Sequence, residues 1–450
     1  MHEPERTGRL KQPPGLFLLF GVEMWERFSF YGMRALLVLF VADSQRGGLG
    51  WSKAAADRLF GWYGFFAYAL PLGGGYLADR FIGTHRSMVI GASIIAAGHF
   101  CLAIPTTTAF FAGLVLVVIG TGFFKPNVST MVGQLYREGD PRRDGGFTIF
   151  YMGVNVGGLF GPLVCAYLGE SPRWGWHYGF GAAGVGMILG LGLYLRLKSR
   201  YLPDIGMVPN RESAARHAPA SAPLTRIERD CLIALVVMMA FSIPFWTAYE
   251  QTGSSMNFFA AERTRRTIFG HPFPAGWFQS VNSAILLLSA PVFAWMWTAL
   301  ERRGREPSTP VKTGAAMFLM AVGFVFMVVG ARASDGGALV SPFWLIATYL
   351  FHTFAELWLS PIGLSMVTKL APLKFASLLM GLWFFATAIA EFLAGHLAAL
   401  TDRVARGEAF HIFGGQADFF FIFVVSSVLS GTLLLALAPT LKRLTHGKDV

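Results

Sequence analysis

Four charged residues lie inside the first long apolar segment of the chain, which covers residues 15–42. That length is enough to cross a bilayer, for which about 20 apolar residues suffice. The charges belong to Glu23, Glu26, Arg27 and Arg34, and each costs roughly 2.5–3.5 kcal/mol at the centre of a spanning helix. Glu23 precedes Glu26 by three residues and Arg27 by four, so these three side chains share one helix face. We expect that face to line a protein interior or a wet cavity.

The composition is that of a polytopic membrane protein. Of the 450 residues, 54% are hydrophobic and 14% are charged, which leaves no room for a sizeable soluble domain. The three cysteines, Cys101, Cys165 and Cys231, lie in separate apolar segments. Their separation predicts buried thiols and argues against a disulfide framework or a metal site.

Twelve apolar segments are expected to span the membrane, six on each side of a polar segment at 199–225. Prolines and mixed charges predict an irregular cytoplasmic linker there. Two groups of six spans are typical of secondary transporters, whose site lies between the halves near the midplane. The predicted units are an N-terminal bundle (1–198), the linker and a C-terminal bundle (226–450). The predicted spans are at about 15–42, 58–78, 86–104, 109–136, 146–168, 177–198, 228–261, 272–300, 311–331, 340–370, 374–401 and 416–442.

The net charge of +11 reflects membrane topology. With the N-terminus inside, the inner segments hold 24 lysines and arginines and the outer loops hold 10. This bias fits the positive-inside rule and predicts that both termini are cytoplasmic. A nucleic-acid partner is therefore not expected.

The loop between the second and third spans reads GGGYLADRFIGTHR, residues 73–86. It resembles the G-x-x-x-D-R-x-x-G-x-R/K loop of the major facilitator superfamily. The resemblance implies an all-α integral membrane fold of two six-helix bundles. It also implies that Asp79 and Arg80 act in conformational change and do not contact substrate.

Eight further motifs carry a narrower resemblance, to the proton-coupled oligopeptide transporter (POT, or PTR) family. The first is the charged segment GVEMWERFSFYGMR (21–34), and the others follow in order along nearly the whole chain. They are AYALPLGGGYLADR (67–80), GTGFFKPNVSTMVGQLY (120–136), FYMGVNVG (150–157), FWTAYEQTGSSM (245–256), SVN (280–282), ELWLSPIGLSMVTKLAP (356–372) and MGLWF (380–384).

The resemblance implies a proton-coupled symporter that imports di- and tripeptides by alternating access, with protons as the coupling ion and no cofactor. It further implies a bacterial-type peptide transporter of the cytoplasmic (inner) membrane that functions as a monomer in the lipid bilayer. Many bacterial relatives insert an extra helix pair between the halves. The 199–225 segment is too short and polar for one, so we expect twelve helices.

In the family, one set of charged residues serves proton coupling and gating. Glu250 is expected to exchange between Arg34 and Lys125 as the bundles rock. An opposite charge favours the ionised carboxylate, and its loss favours protonation, so such a pair can link proton binding to conformational change. The residues matched to this role are Glu23, Glu26, Arg27, Lys125, Arg34 and Glu250, and the first three are expected to form a network with Lys125.

A second set is matched to the family's substrate contacts. Arg34 and Lys125 would hold the peptide's carboxyl terminus, and Glu356 its amino terminus, with Ser360 one turn away. Buried asparagines in membrane helices are often only contacts between helices, and aromatic residues are often only packing, so those alternatives stay open. The polar and aromatic residues matched to the pocket are Tyr31, Tyr68, Tyr151, Asn155, Trp246, Asn282 and Trp383.

Two positions depart from the family pattern. Phe30 stands where many members have a tyrosine, so selectivity is expected to differ. Gly61 stands where animal members carry a histidine, so proton handling is expected to depend on carboxylates. Glu391, in the eleventh span, has no role that the sequence assigns.

Three other classes of function fit the sequence less well. A carrier of another small anion or metabolite within the same family would be favoured if binding survived the loss of Glu356. A membrane-embedded enzyme is not expected, because the chain has no HExxH, no GxSxG and no clustered Cys and His. A non-transporting receptor stays open, although the Lys125 and Glu250 pair argues against it.

Overall fold

The computed structural model describes residues 11–137, 139–209, 224–371 and 376–446, and over these the chain is almost wholly helical. A short hairpin pairs β1 (Thr267–Ile268) with β2 (His271–Pro272). The helices are α1 (Pro14–Ala42), α2 (Lys53–Leu77), α3 (Thr84–Leu102), α4 (Thr107–Gln134), α5 (Arg143–Gly169), α6 (Trp176–Tyr201), α7 (Arg226–Tyr249), α8 (Ser255–Glu262), α9 (Gln279–Arg302), α10 (Thr309–Ala333), α11 (Phe343–Leu370), α12 (Ala376–Ala398), α13 (Thr401–Ala405) and α14 (Gln416–Leu444).

Eight helical segments of the described chain are long and apolar enough to cross a membrane. They correspond to α4, α5, α6, α7 with α8, α9, α10, α12 and α14. The helices α1, α2, α3 and α11 lie at the other four positions where spans are expected from the sequence. The 29 residues of α1 are long enough to span a bilayer, but its four buried charges lower its apolar character.

Helices up to α6 pack on one another, and so do those from α7 onwards. In the first group α1 packs on α5 and α6, and α3 packs on α4. In the second group α10 packs on α11 and α14, and α7 packs on α12 and α14. The two groups meet through α2 on α12 and through α5 on α9.

Glycines bring α5 against the charged helix α1 at backbone distance. A Cβ added to Gly157 would lie 2.3 Å from the carbonyl oxygen of Met24 and 2.8 Å from Arg27 Cβ. One added to Gly161 would lie 2.4 Å from the carbonyl oxygen of Phe28. Small residues of this kind allow membrane helices to pack closely, so α5 covers the buried face of α1.

Contacts between the two helix groups gather at one end of the molecule. We call the end that carries residues 43–52 the loop-1 end, and the opposite end, where α6 finishes, the linker end. Near the loop-1 end, Trp277 Nε1 donates to the carbonyl oxygen of Leu163 at 3.0 Å, and Ser280 Oγ donates to that of Leu159 at 2.7 Å. These bonds join the start of α9 to the last turns of α5.

Glu170 adds a second connection at the loop-1 end, immediately after α5. Its carboxylate accepts the backbone N–H groups of Ala275 at 2.8 Å and Gly276 at 2.7 Å, and it lies 3.4 Å from the Arg266 guanidinium. Burial raises the pKa of Glu170, while the two N–H donors and Arg266 oppose that shift. One carboxylate of the first group thus caps a helical turn of the second.

The seventh predicted span, at 228–261, is not one continuous helix. It breaks after α7 into a 3-10 turn at residues 250–253, and α8 follows. A Cβ added to Gly253 in this turn would lie 2.4 Å from the Phe60 ring of α2. The break therefore sits where the second group presses on the first, and it places Glu250 at the beginning of the turn.

The predicted linker is only partly covered by the described residues, which omit 210–223. Residues 202–209 are not helical. The carbonyl oxygen of Gly206 accepts the His85 backbone N–H at 3.0 Å, and Lys198 Nζ donates to the carbonyl oxygen of Pro203 at 2.9 Å. The beginning of the linker is therefore irregular and packs against the start of α3.

We expect Gly157→Ala to destabilise the protein, because its methyl group would overlap Met24 and Arg27. Overpacking of this kind typically costs about 1–3 kcal/mol. The matched control is Gly192→Ala in α6, where an added Cβ meets nothing within 4 Å and alanine favours the helix by up to about 1 kcal/mol. Thermal unfolding in detergent measures both variants, and equal melting temperatures would contradict the expected overlap.

Candidate functional site

The buried face of α1 carries a compact ion cluster. Arg27 Nε lies 3.1 Å from Glu23 Oε1, and Arg27 Nη2 donates to Glu26 Oε1 at 2.8 Å. All three side chains are buried. Within the described residues, Glu23 Oε2 has no hydrogen-bond partner. Two carboxylates share one guanidinium here, so the cluster has a net negative charge when both are ionised.

Lys125 of α4 stands apart from this cluster. No carboxylate lies within 4.0 Å of its ammonium group in the part of the chain that the structure describes. Its Nζ instead lies 3.7 Å from the centroid of the Tyr68 ring, a cation–π arrangement. The predicted ion pairs of Lys125 are therefore not formed in this arrangement, and its role in binding and coupling stays a prediction.

Arg34 holds two carboxylates of the second helix group. Its Nη2 donates to Glu250 Oε2 at 2.6 Å. Its Nη1 and Nη2 lie 3.2 Å and 3.3 Å from the two oxygens of Glu391. The guanidinium also lies 4.6 Å from the centroid of the Phe60 ring. This bridge from α1 to α12 and to the turn after α7 is the predicted Arg34–Glu250 contact with a second carboxylate added.

Glu391 is the member of the bridge that sequence reasoning left without a role. Its side chain is 0% exposed, and glycines of α2 make room for it. A Cβ added to Gly64 would lie 2.4 Å from Glu391 Oε2, and one added to Gly61 would lie 3.0 Å from the carbonyl oxygen of Phe392. A carboxylate in an apolar segment is itself a signal of function, but only the fold shows its partner.

Glu356 of α11 is held by three neutral donors. The hydroxyl of Tyr249 and the amide of Asn282 donate to Oε2 at 2.8 Å and 2.9 Å, and the hydroxyl of Tyr151 donates to Oε1 at 3.3 Å. The carboxylate is buried. Within the described ranges no cationic side chain lies within 4.0 Å of it. A buried carboxylate oriented by neutral donors can accept an ammonium group from a ligand.

Two of these donors were predicted and one was missed. Tyr151 and Asn282 were matched to the pocket from sequence, whereas Tyr249 had only its position beside Glu250 to single it out. Asn155, also matched to the pocket, donates its side-chain amide to the carbonyl oxygen of Tyr151 at 3.0 Å. That bond lies within α5, so the contact of Asn155 with substrate stays a prediction.

Phe30 packs beneath both arginines of α1. Its ring centroid lies 4.9 Å from the Arg27 guanidinium carbon and 5.4 Å from that of Arg34. The ring is buried and lies 6.3 Å from the Tyr63 ring. The ring therefore packs against both guanidinium groups, a cation–π arrangement.

The remaining aromatic residues differ in their distance from the charges. The Tyr31 ring lies 6.0 Å from the Arg27 guanidinium carbon, and the Trp246 ring lies 5.2 Å from the Tyr249 ring. Trp383 of α12 is half-buried and packs beside Leu379 and its neighbours. Tyr31 and Trp246 therefore adjoin the charged groups, while Trp383 lies closer to the linker end.

The predicted conformational residues lie at the linker end. Asp79 and Arg80 belong to the turn at residues 78–82 that follows α2, and Arg80 Nη1 donates to the Tyr76 hydroxyl at 2.5 Å. Asp79 is half-buried. The side chain of Ser360 lies outside the described residues, so its predicted place beside Glu356 stays a prediction.

The fold and the site together define a class of protein. Buried ionisable groups in membrane helices mark substrate and ion pathways, and here they lie where two helix groups meet, as in secondary transporters. In the described residues no group of three or more His, Cys, Asp or Glu side chains could hold a metal ion. The molecule is a multi-pass membrane protein with the interior of a solute carrier.

Comparison with known proteins identifies its family. The model of the POT family matches residues 85–204 and 221–412, which is more than half of the chain. The chain therefore belongs to the POT family, and the resemblance drawn from its motifs is confirmed.

Three bacterial relatives match along most of their length. The uncharacterized transporter YclF of Bacillus subtilis is 37% identical over 98% of this chain and 97% of its own. The peptide transporter YePEPT of Yersinia enterocolitica is 36% identical over 85% and 86%. A di-/tripeptide transporter of Lactococcus lactis is 30% identical over 96% of both chains.

A solved structure shares the fold over almost the whole chain. A mutant of the peptide transporter POT in complex with alafosfalin superposes with a TM-score of 0.87 at 35% identity, covering 99% of this chain and 98% of the other. The helical arrangement described above is therefore that of a known transporter.

We expect Arg34→Gln to be far more destabilising than Lys53→Gln, although both residues connect the helix groups. Arg34 is buried between two carboxylates, and breaking a buried pair typically costs about 3–5 kcal/mol. Lys53 pairs with Glu262 at a site where both side chains are at least 34% exposed, and such pairs contribute about 0–1 kcal/mol. Thermal unfolding in detergent compares them.

A double variant separates the loss of a counter-ion from the loss of packing. Arg34→Gln with Glu391→Gln removes one uncompensated carboxylate, so part of the melting temperature lost in Arg34→Gln should return. A double variant no more stable than Arg34→Gln would contradict Arg34 as the counter-ion of Glu391.

Proposed function

We propose that this protein is a proton-coupled symporter that imports di- and tripeptides by alternating access. The observation that carries the proposal is Glu356, a buried carboxylate with three oriented neutral donors and no cation nearby within the described chain. The cations Arg34 and Lys125 belong to the other helix group. This distribution of charge suits a zwitterion, and the peptide-transporting relatives support the same substrate class.

In this proposal the two ends of the peptide bind opposite halves of the site. The ammonium group binds Glu356, where Tyr151 and Asn282 hold the carboxylate in place. The carboxylate of the peptide binds Arg34 and Lys125, and the ammonium of Lys125 has only the Tyr68 ring against it among its described contacts. The remaining residues assigned to the walls of the pocket are Tyr31, Tyr68, Asn155, Trp246, Ser360 and Trp383.

Proton coupling is assigned to the Arg34–Glu250 bridge and to the cluster around Arg27. When the peptide's carboxylate takes a place on Arg34, Glu250 loses its partner. A buried carboxylate without a cation favours the protonated form. Peptide binding at Arg34 and proton binding at Glu250 therefore favour one another, and this linkage is what a symporter requires.

The same proposal includes the number of membrane spans and the orientation of the protein in the membrane. The protein has twelve spans in two bundles, 1–198 and 226–450, in the bacterial inner membrane, with both termini cytoplasmic and the loop-1 end outside. It works as a monomer with no cofactor and no nucleic-acid partner.

The described bonds between the helix groups lie near the loop-1 end or at Glu356, which supports an arrangement closed to the outside. Asp79 and Arg80 then act at the cytoplasmic side.

Uptake of labelled dialanine into proteoliposomes tests the function. The parent should accumulate dialanine when an inward proton gradient and a negative-inside potential are imposed. Glu356→Gln should weaken dialanine binding about tenfold or more, because an interaction with a charged group of about 1.5–3 kcal/mol is lost. Glu250→Gln should retain counterflow exchange and lose the part of the gradient-driven accumulation that the proton on Glu250 drives.

The matched control is Glu408→Gln. Glu408 pairs with Arg403 and Arg406 in an exposed loop, so its loss should leave both uptake and exchange at the parent's level. A correctly inserted parent that neither exchanges nor accumulates dialanine would contradict the proposed function. A Glu356→Gln variant with the parent's affinity would instead favour a carrier of another small anion or metabolite.

A further inference from the structure

Glu391 lies inside the contact between the two helix groups. It touches Arg34, the residue proposed to bind the carboxylate of the peptide. It approaches Arg34 side-on, with one oxygen at 3.2 Å from Nη1 and the other at 3.3 Å from Nη2. No part of it is exposed. The Gly64 position of α2 accommodates its carboxylate so closely that an added Cβ would lie 2.4 Å from Oε2. A buried ionisable side chain in a membrane helix points to a function.

The charges around Arg34 do not balance. The guanidinium supplies one positive charge, whereas Glu250 and Glu391 supply two negative charges. A peptide carboxylate arriving at Arg34 would add a third. An excess charge in a buried site is costly unless it is paired or neutralised by a proton. Release of Glu250 alone would still leave Arg34 shared between Glu391 and the peptide.

Charged and titratable groups of several helices act on Glu391. Arg34 of α1 attracts its charge, Glu250 beyond α7 repels it, and Lys125 of α4 attracts it from further away. From α2, the tyrosine hydroxyls of Tyr63 and Tyr68 also face it. The helix α11, which packs on α12, directs its carboxylate Glu356 to Tyr151, Tyr249 and Asn282 instead.

We propose that Glu391 is a second coupling carboxylate, which takes up one proton as Arg34 passes from it to the carboxylate of the peptide. The proton comes from the side to which the site is open, adds to one carboxylate oxygen and leaves to the other side when the ion pair with Arg34 forms again. Glu391 acts through Arg34, so it is a positioning residue for substrate binding. The inference rests on the proposed function. It adds one coupled proton to each transport cycle.

The test measures the accumulation limit of dialanine, which is the highest ratio of its internal to its external concentration that proteoliposomes reach. Several pH gradients are imposed, with the membrane potential held at zero. Each coupled proton raises that limit about tenfold per pH unit. Glu391→Gln should therefore lower the limit about tenfold at a gradient of one pH unit, and counterflow exchange should persist. Glu391→Asp keeps a titratable group and should keep the parent's dependence on the gradient. Glu408→Gln is the control for a charge lost elsewhere.

The outcomes separate the inference from the function on which it rests. A parent that fails to exchange dialanine overturns the proposed function. A parent that accumulates dialanine, with Glu391→Gln showing the same dependence on the pH gradient, overturns only the inference. If Glu391→Gln is inactive even in exchange, Glu391→Asp decides. The parent's dependence in Glu391→Asp supports a proton site, whereas a Glu391→Asp variant that is also inactive in exchange shows that the side chain has a structural role and overturns the inference.

Discussion

The structure depends on one buried guanidinium, that of Arg34, which joins α1 to two carboxylates of the other helix group. Such a bridge requires the helices to pack closely enough for their charged side chains to meet. Glycines provide this approach: a Cβ on Gly395 would lie 2.3 Å from the carbonyl oxygen of Asp57 and 2.5 Å from Gly61 Cα. The close crossing of α2 and α12 therefore lies beside the ion bridge and brings Glu391 within reach of Arg34.

The two charged sites of the interior differ in how they are satisfied. At Arg34 the protein supplies both signs of charge, so the site is held closed by its own residues. At Glu356 it supplies a carboxylate and neutral donors. Hydrogen bonds from neutral groups orient a buried carboxylate without neutralising it. In the proposed function, a ligand cation therefore binds a carboxylate at Glu356 that has no cationic partner among the described residues, whereas a ligand anion must compete with Glu250 and Glu391 for Arg34.

Local spacing was enough to predict the cluster of Glu23, Glu26 and Arg27, because residues three and four apart on a helix are neighbours whatever the tertiary fold. Contacts between distant segments could not be derived in that way. Glu391 lies 357 residues from Arg34 in sequence, and only the packing of α12 on α2 brings them together. Motif resemblance supplied Glu250, Glu356 and the family. It supplied neither Glu391 nor Tyr249, and the pairing expected for Lys125 depends on a conformation that spacing does not encode.

In the proposed mechanism, the ion bridge at Arg34 both closes the loop-1 end and carries proton sites. Opening the loop-1 end must separate Arg34 from both of its carboxylates and release Glu170 from the N–H groups of Ala275 and Gly276. Glu170 is held by these two donors and by Arg266. In the proposed mechanism, protonation of Glu250 or Glu391 weakens the ion pairs at Arg34, and protonation of Glu170 would likewise weaken its own contacts. The buried bridge differs from the Glu170 contact because a proton and the carboxylate of the peptide act there on the same guanidinium.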